Sequence, residues 1–186
     1  MQTMNSSTDR RTVGRRDVWP IGERYLEKNE EVYGVFVDLE NAFDTVDWNK
    51  LMGILKKVGV DWKNRRLFSN LYMKRVKARI GEEMSEGSEI GRGVCQGCPL
   101  SPTLFNIYLE DLVKNCFQNM GGVIVGGRRI KCIRFADDMG LSAEEEMILN
   151  DMILELNDSC KQYGMKITAN KTKSMVIGRK IQKINL

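Results

Sequence analysis

The spacing of apolar residues changes from one stretch of this chain to the next, and those changes predict most of its elements. Residues 32–37, Val-Tyr-Gly-Val-Phe-Val, are the most β-prone run, rich in β-branched and aromatic side chains, and they end on Asp38. Helical spacing follows in residues 48–58, with Asp47 as cap and Gly59 as stop, and in residues 62–73 after Asp61. Residues 76–90 read as a small hairpin. Ser101 as N-cap and Pro102 at the first helical position open an amphipathic helix carrying Leu104, Phe105, Tyr108, Leu109 and Leu112. Gly121-Gly122 and Gly126-Gly127 punctuate short strands. Ile133 and Phe135 before Asp137-Asp138, and Met139 and Leu141 after them, alternate as two half-buried strands joined by a tight turn. Ser142 and Glu145 spell a capping box for a helix whose stripe is Leu149, Met152, Ile153, Leu156, Cys160 and Tyr163. A short helix in residues 21–30 and a strand in residues 173–177 complete the pattern. Its order is β-α-β-β-α-β, an α+β class with a ferredoxin-like antiparallel sheet packed on helices.

Within that pattern the costly feature is the carboxylate pair Asp137-Asp138 at a hairpin tip between apolar strands. Charges there need a partner. One reading is a solvated turn, where Asp bonds nearby backbone. The other is a cation site, and Asp38 at the end of the first strand favours it. If that strand pairs beside the hairpin, Asp38 and Asp137 face each other. Two or three convergent carboxylates can hold a pair of Mg²⁺ ions for an in-line phosphoryl displacement, and ligation by oxygen alone favours Mg²⁺ or Mn²⁺. The chain has no His, which excludes His-based triads, His-ligated zinc and His general bases.

The stretch Gly91-Arg-Gly-Val-Cys-Gln-Gly-Cys-Pro-Leu-Ser101 is Gly-rich, as a loop needs for close backbone approach to a ligand. Taken with Phe36-Val-Asp-Leu-Glu-Asn-Ala-Phe-Asp44 before it, Phe135-Ala-Asp-Asp138 after it and the block from Tyr163 to Gly178, it resembles the reverse transcriptases of non-LTR (LINE-like) retrotransposons and group II introns. Four blocks in the family's order cover residues 31–178. The resemblance implies a polymerase palm, RNA-directed DNA synthesis, and an RNA template, a DNA primer and deoxynucleoside triphosphates as partners. It assigns metal binding and catalysis to Asp38, Asp137 and Asp138, with the Leu39 carbonyl helping a second Mg²⁺. Phe43 falls where an aromatic excludes a 2′-hydroxyl, although a core aromatic fits the sequence equally well. Gln96 and Gly97, with Arg92 beside them, match the loop that contacts the incoming nucleotide and template base. Lys171 matches the lysine that approaches the triphosphate.

Departures from the family are Asn41 where Lys is usual, Cys95 where Arg or another large residue is common, Thr168 where Asn is frequent, and Gly140 inside the second hairpin strand, where glycine weakens pairing. Residues 1–20 are unassigned and read as a basic arm, residues 21–178 as palm with partial fingers, and residues 179–186 as the start of a further element. Incomplete fingers and no thumb lead to the expectation of a truncated chain, weak or inactive alone. The competing class is a catalytically silent nucleic-acid-binding or interaction protein that keeps the fold. A nucleotidyl cyclase shares the paired carboxylates and the strand order, but its Gly-Gly-Asp/Glu-Glu-Phe hairpin is missing here, whereas the Gln96-Gly97 loop is present.

Composition alters little. A chain of 186 residues, 42% apolar and 29% charged, can bury one substantial core. Its +4 charge favours a polyanionic partner, and basic residues gather at Arg10, Arg11, Arg15 and Arg16 and again at Lys63, Arg65, Arg66, Lys74, Arg75, Lys77 and Arg79. A solvated helix face explains the second group as well. No apolar run approaches the roughly 20 residues of a membrane span, and residues 1–8 lack a signal peptide's hydrophobic region. An intracellular protein, nuclear or cytoplasmic, is expected. Five cysteines, an odd count, suit reduced thiols. Cys95 and Cys98 make a Cys-x-x-Cys that suggests zinc or redox chemistry, but no second pair and no His completes a zinc site.

Overall fold

The structure is a computed structural model that describes residues 25–27, 30–72, 75–76, 79–80, 83–84, 88–89, 91–95, 97–117 and 120–178. The basic arm, residues 179–186, Gln96, Met73 and most of the helix expected in residues 21–30 lie outside them. Only Tyr25–Glu27 of that helix is described, and it is helical. By contact the chain divides into two compact units, one of Met1–Glu40, Cys116–Asp158 and Ile167–Leu186, the other of Asn41–Asn115 and Ser159–Lys166.

The first unit is built on a four-stranded antiparallel sheet. Its strands are β1 (Val32–Asp38), β8 (Cys132–Phe135), β9 (Asp138–Ala143) and β10 (Lys173–Ile177), in the order β10-β1-β9-β8. Period-2 alternation decides what is buried. Val35 and Val37 of β1 stand opposite Leu141 and Met139 of β9, and all four are buried on one face. Gly34, Phe36 and Asp38 fall on the other face, opposite Ser142, Gly140 and Asp138. Two shorter strands, β6 (Val123–Val125) and β7 (Arg128–Ile130), pair with each other, and Val123 joins Tyr25 and Val32 in a buried cluster. The helix α4 (Glu146–Gln162) buries the stripe Leu149, Met152 and Leu156 as its periodicity requires.

The expected capping box does not form. Sheet pairing carries β9 through Ser142, which stands opposite Gly34, so its hydroxyl donates to the Ile130 carbonyl and α4 starts only at Glu146.

The second unit holds α1 (Trp48–Lys57), α2 (Trp62–Tyr72) and α3 (Ser101–Cys116), the last as far as Asn115. Asp47 caps α1 by accepting the Lys50 N–H at 2.9 Å, and Gly59 at φ 87° follows its end. Asp61 accepts the Asn64 N–H at the head of α2 in the same way. Trp48 and Tyr72 stack with ring centroids 4.6 Å apart and fasten α1 to α2. The hairpin expected in residues 76–90 is two nested ladders, β2 (Arg75–Val76) with β5 (Ser88–Glu89) and β3 (Arg79–Ile80) with β4 (Glu83–Met84). Among the described residues no helix is long and apolar enough to cross a membrane.

Candidate active site

At the end of the sheet where β1 stops and β9 starts, Asp38 stands directly opposite Asp138. Directly opposed residues of an antiparallel pair project from the same face with Cβ atoms about 5 Å apart, so the pairing sets two carboxylates side by side. The expectation that Asp137 would face Asp38 is corrected here. Phe135 pairs with Asp138, which makes Ala136 and Asp137 the two-residue turn. That turn is strained, because Ala136 sits at φ 54°, a left-handed conformation that costs a residue with a Cβ about 1–2 kcal/mol.

A third strand-like contact closes the site from the C-terminal side. Leu39 bridges to Ile167, and the Thr168 N–H donates to the Asp38 carbonyl at 2.8 Å. The chain then folds back, with the N–H groups of Lys171 and Thr172 and the Thr172 hydroxyl all donating to the Thr168 carbonyl. This turn presents Lys171, whose Nζ lies 3.3 Å from Asp38 Oδ2. The contact is an ion pair without hydrogen-bond geometry, for Asp38 Oδ2 is buried and has no hydrogen-bond partner. Thr168 Oγ1 is in the same condition.

A buried, unsatisfied carboxylate oxygen beside a second carboxylate is a donor set suited to a hard cation. The fit is incomplete. Among the described residues no three His, Cys, Asp or Glu side chains converge closely enough to hold a metal ion.

The remaining candidates lie in the second unit. Phe43 is half-buried and stacks on Phe105 with centroids 4.4 Å apart, so its ring is packed as well as partly accessible. Arg92 is exposed, bridges by its backbone to Asp47, and brings its guanidinium near Gly164. Gly97 has φ 84°. Gly93 admits no side chain, since an added Cβ would meet the Asp44 carbonyl oxygen at 3.1 Å while φ stays at 85°. Trp48 Nε1 donates to the Gly93 carbonyl at 2.7 Å and fixes that crossing.

Sequence reasoning missed a polar network in this unit. Tyr163, read as part of an apolar stripe, donates its hydroxyl to Asp111 Oδ2 at 2.7 Å, and Lys57 approaches Asp111 Oδ1 at 3.0 Å. The Tyr108 hydroxyl donates to the Tyr163 carbonyl at 2.8 Å. Burial pushes both phenols up to about 12, helped at Tyr163 by the Asp111 charge. Burial pushes Asp111 up too, but its bonds from Tyr163 and Lys57 outweigh that and hold it below the ordinary value of 3.8. The partners are 52 residues apart in sequence, and nothing local announces the pairing.

Compared with known proteins, residues 3–184 match the model of the family "Reverse transcriptase (RNA-dependent DNA polymerase)". The chain belongs to that family. Its relatives put it among the reverse transcriptases of non-LTR retrotransposons. The Retrovirus-related Pol polyprotein from type-1 retrotransposable element R2 of Popillia japonica is 30% identical over 150 residues, 77% of this chain and 20% of that protein. The corresponding protein of Nasonia vitripennis is 28% identical over 81% of this chain and 15% of its own length. This reverse transcriptase chain thus spans a fifth or less of those two relatives. Among solved structures, apo telomerase from Candida tropicalis truncated from its C-terminal domain superposes with TM-score 0.66 at 15% identity, covering 97% of this chain and 40% of that one. Telomerase from the same organism in complex with the TWJ fragment of telomeric RNA gives 0.67 at 16%, over 94% and 31%. These likenesses show the fold, a palm-like α+β arrangement.

Proposed function

We propose that this chain is the carboxylate-bearing palm of an RNA-directed DNA polymerase, one that extends a DNA primer along an RNA template with deoxynucleoside triphosphates. The observation that carries the reading is the opposition of Asp38 and Asp138, with Asp38 Oδ2 buried and unsatisfied. Strand order β10-β1-β9-β8 supports a ferredoxin-like palm, since it places the first strand between the third and fourth of the four. Asp38, Asp138 and the Leu39 carbonyl, with Asp137 in the adjoining turn, would hold Mg²⁺ or Mn²⁺. Two bound ions would supply Lewis-acid stabilisation of the attacking primer 3′-hydroxyl and of the leaving pyrophosphate. Lys171, already beside Asp38, is exposed enough to swing its ammonium toward a triphosphate. The roles that the resemblance implies for Phe43, Arg92, Gln96 and Gly97 belong to the same proposal.

Primer extension on an RNA template with Mg²⁺ tests it, run beside Asp38→Ala and Asp137→Ala. Synthesis that both variants lose is the expected result. The second reading, a silent nucleic-acid binder, is favoured by the failure of three acidic side chains to converge among the described residues. It would prevail if no variant and no wild-type chain extends a primer while all bind RNA with the same steep salt dependence.

A further inference from the structure

The Cys95-x-x-Cys98 pair is not used by the proposed polymerase chemistry, and its surroundings differ from those of the other cysteines. The Cys98 N–H donates to the Cys95 carbonyl at 3.2 Å, closing a four-residue turn with Gly97 at φ 84° in its third position. Such a turn holds its end Cα atoms within about 7 Å, at the reach of a disulfide. Ser101 fixes one end, its hydroxyl donating to the Cys95 carbonyl at 2.6 Å. At the other end the Tyr72 hydroxyl lies 2.9 Å from Cys98 Sγ, and the Ser101 N–H, at the head of α3, donates to the Cys98 carbonyl at 3.1 Å. Cys95 is exposed and Cys98 half-exposed, whereas Cys116 and Cys160 are buried.

We propose that Cys95 and Cys98 are a reversible redox pair, in which Cys98 is the thiolate that attacks a peroxide and Cys95 resolves it to a disulfide across the 95–98 turn. The Cys98 thiolate forms an S–O bond as the O–O bond breaks and hydroxide leaves, giving a sulfenic acid. Cys95 then attacks that sulfur, the S–S bond forms, the S–O bond breaks, and the departing hydroxide takes up the Cys95 proton as water. Two thiols and one hydrogen peroxide give one disulfide and two waters, and a small dithiol reverses the change. The bonds from Tyr72, Leu100 and Ser101 hold the Cys98 thiol below its ordinary pKa, which favours the attacking form.

The test is peptide mapping of the full chain after treatment with hydrogen peroxide, which needs no polymerase activity. Trypsin releases Gly93 to Lys114 as one peptide, and it should be lighter by two hydrogens and refuse iodoacetamide. Cys95→Ser should leave a sulfenic acid on Cys98 that dimedone traps, and Cys98→Ser should abolish both products. Before oxidation, Cys98 should alkylate about tenfold faster than Cys132 at neutral pH. Tyr72→Phe keeps the ring that stacks on Trp48 but should move the alkylation profile of Cys98 to higher pH. The proposal fails if both thiols stay alkylatable after peroxide, if the disulfide joins two chains, or if Cys98 reacts no faster than Cys132.

Discussion

Two half-buried carboxylates, one in each unit, are treated in opposite ways. Asp111 has partners on both oxygens, the Tyr163 hydroxyl on one and the Lys57 ammonium on the other. Asp38 keeps one oxygen buried without a hydrogen bond, next to a strained alanine turn and an opposing aspartate. A satisfied network rigidifies a fold, whereas an unsatisfied carboxylate costs stability unless a ligand repays it. The contrast separates a structural acid from a binding one, and it makes crossed predictions.

The largest expected effect is on cation binding. Asp38→Asn should weaken Mn²⁺ binding, followed by electron paramagnetic resonance, by about tenfold or more, comparable to what loss of a metal site's supporting residue does. Its stability should change by less than about 1 kcal/mol, because the pair it loses has a lysine that is 68% exposed. A melt that falls as far as the Asp111 variant's would make Asp38 structural and erase the contrast.

Asp111→Asn should do the reverse, lowering unfolding free energy by about 2 kcal/mol through loss of charge-assisted bonds and leaving Mn²⁺ binding unchanged. Most of that loss belongs to Tyr163, since Lys57 is largely exposed and contributes little. The same carboxyl sets a pH dependence. Its folded pKa lies below 3.8, so its stabilisation is complete above that value and disappears as pH falls through the lower, folded one. Denaturant melts from neutral pH down to about 2 should therefore converge for wild type and Asp111→Asn at the acid end. Curves that stay parallel would remove Asp111 from the account.

Much of this was legible beforehand. Alternation in residues 32–37 and around Asp137-Asp138 predicts the strands that carry Asp38 and Asp138, and the Asp47 and Asp61 caps predict where α1 and α2 begin. The partner of Asp38 was not legible, because it depends on register. Propensity centres the turn on Asp137-Asp138, as Asp suits turns better than Ala, yet pairing with β1 shifts it by one residue and forces Ala136 into the left-handed region. Ser142 misled in the same way: its local capping signal lost to sheet pairing with β1. Tyr163 and Asp111 could not be matched, since their pattern positions describe burial and not a hydrogen bond between distant segments.

The strain at the tip offers a smaller test. Ala136→Gly should raise stability by about 1 kcal/mol, because glycine adopts that φ without the Cβ penalty. If the extra freedom also loosens the carboxylates, Mn²⁺ binding should fall as stability rises. An unchanged melt would mean that the turn relaxes without cost and that strain has no part in the difference between the two acids.

The smallest effect concerns Gly140, the strand glycine expected to weaken the hairpin. It lies under Phe36, its cross-strand partner, and an added Cβ would meet that ring at 3.7 Å, an ordinary contact. Its φ is not in the left-handed region, so no strain accompanies a side chain. Phe36 already covers the bare backbone, the arrangement by which an aromatic rescues a glycine in a sheet. Gly140→Ala should therefore stabilise by about 0.4–1 kcal/mol through the unfolded chain, seen as a higher urea midpoint at unchanged slope. A loss of stability instead would show that Phe36 needs the glycine surface to keep its place, and would tie that ring to the geometry of the Asp38–Asp138 end.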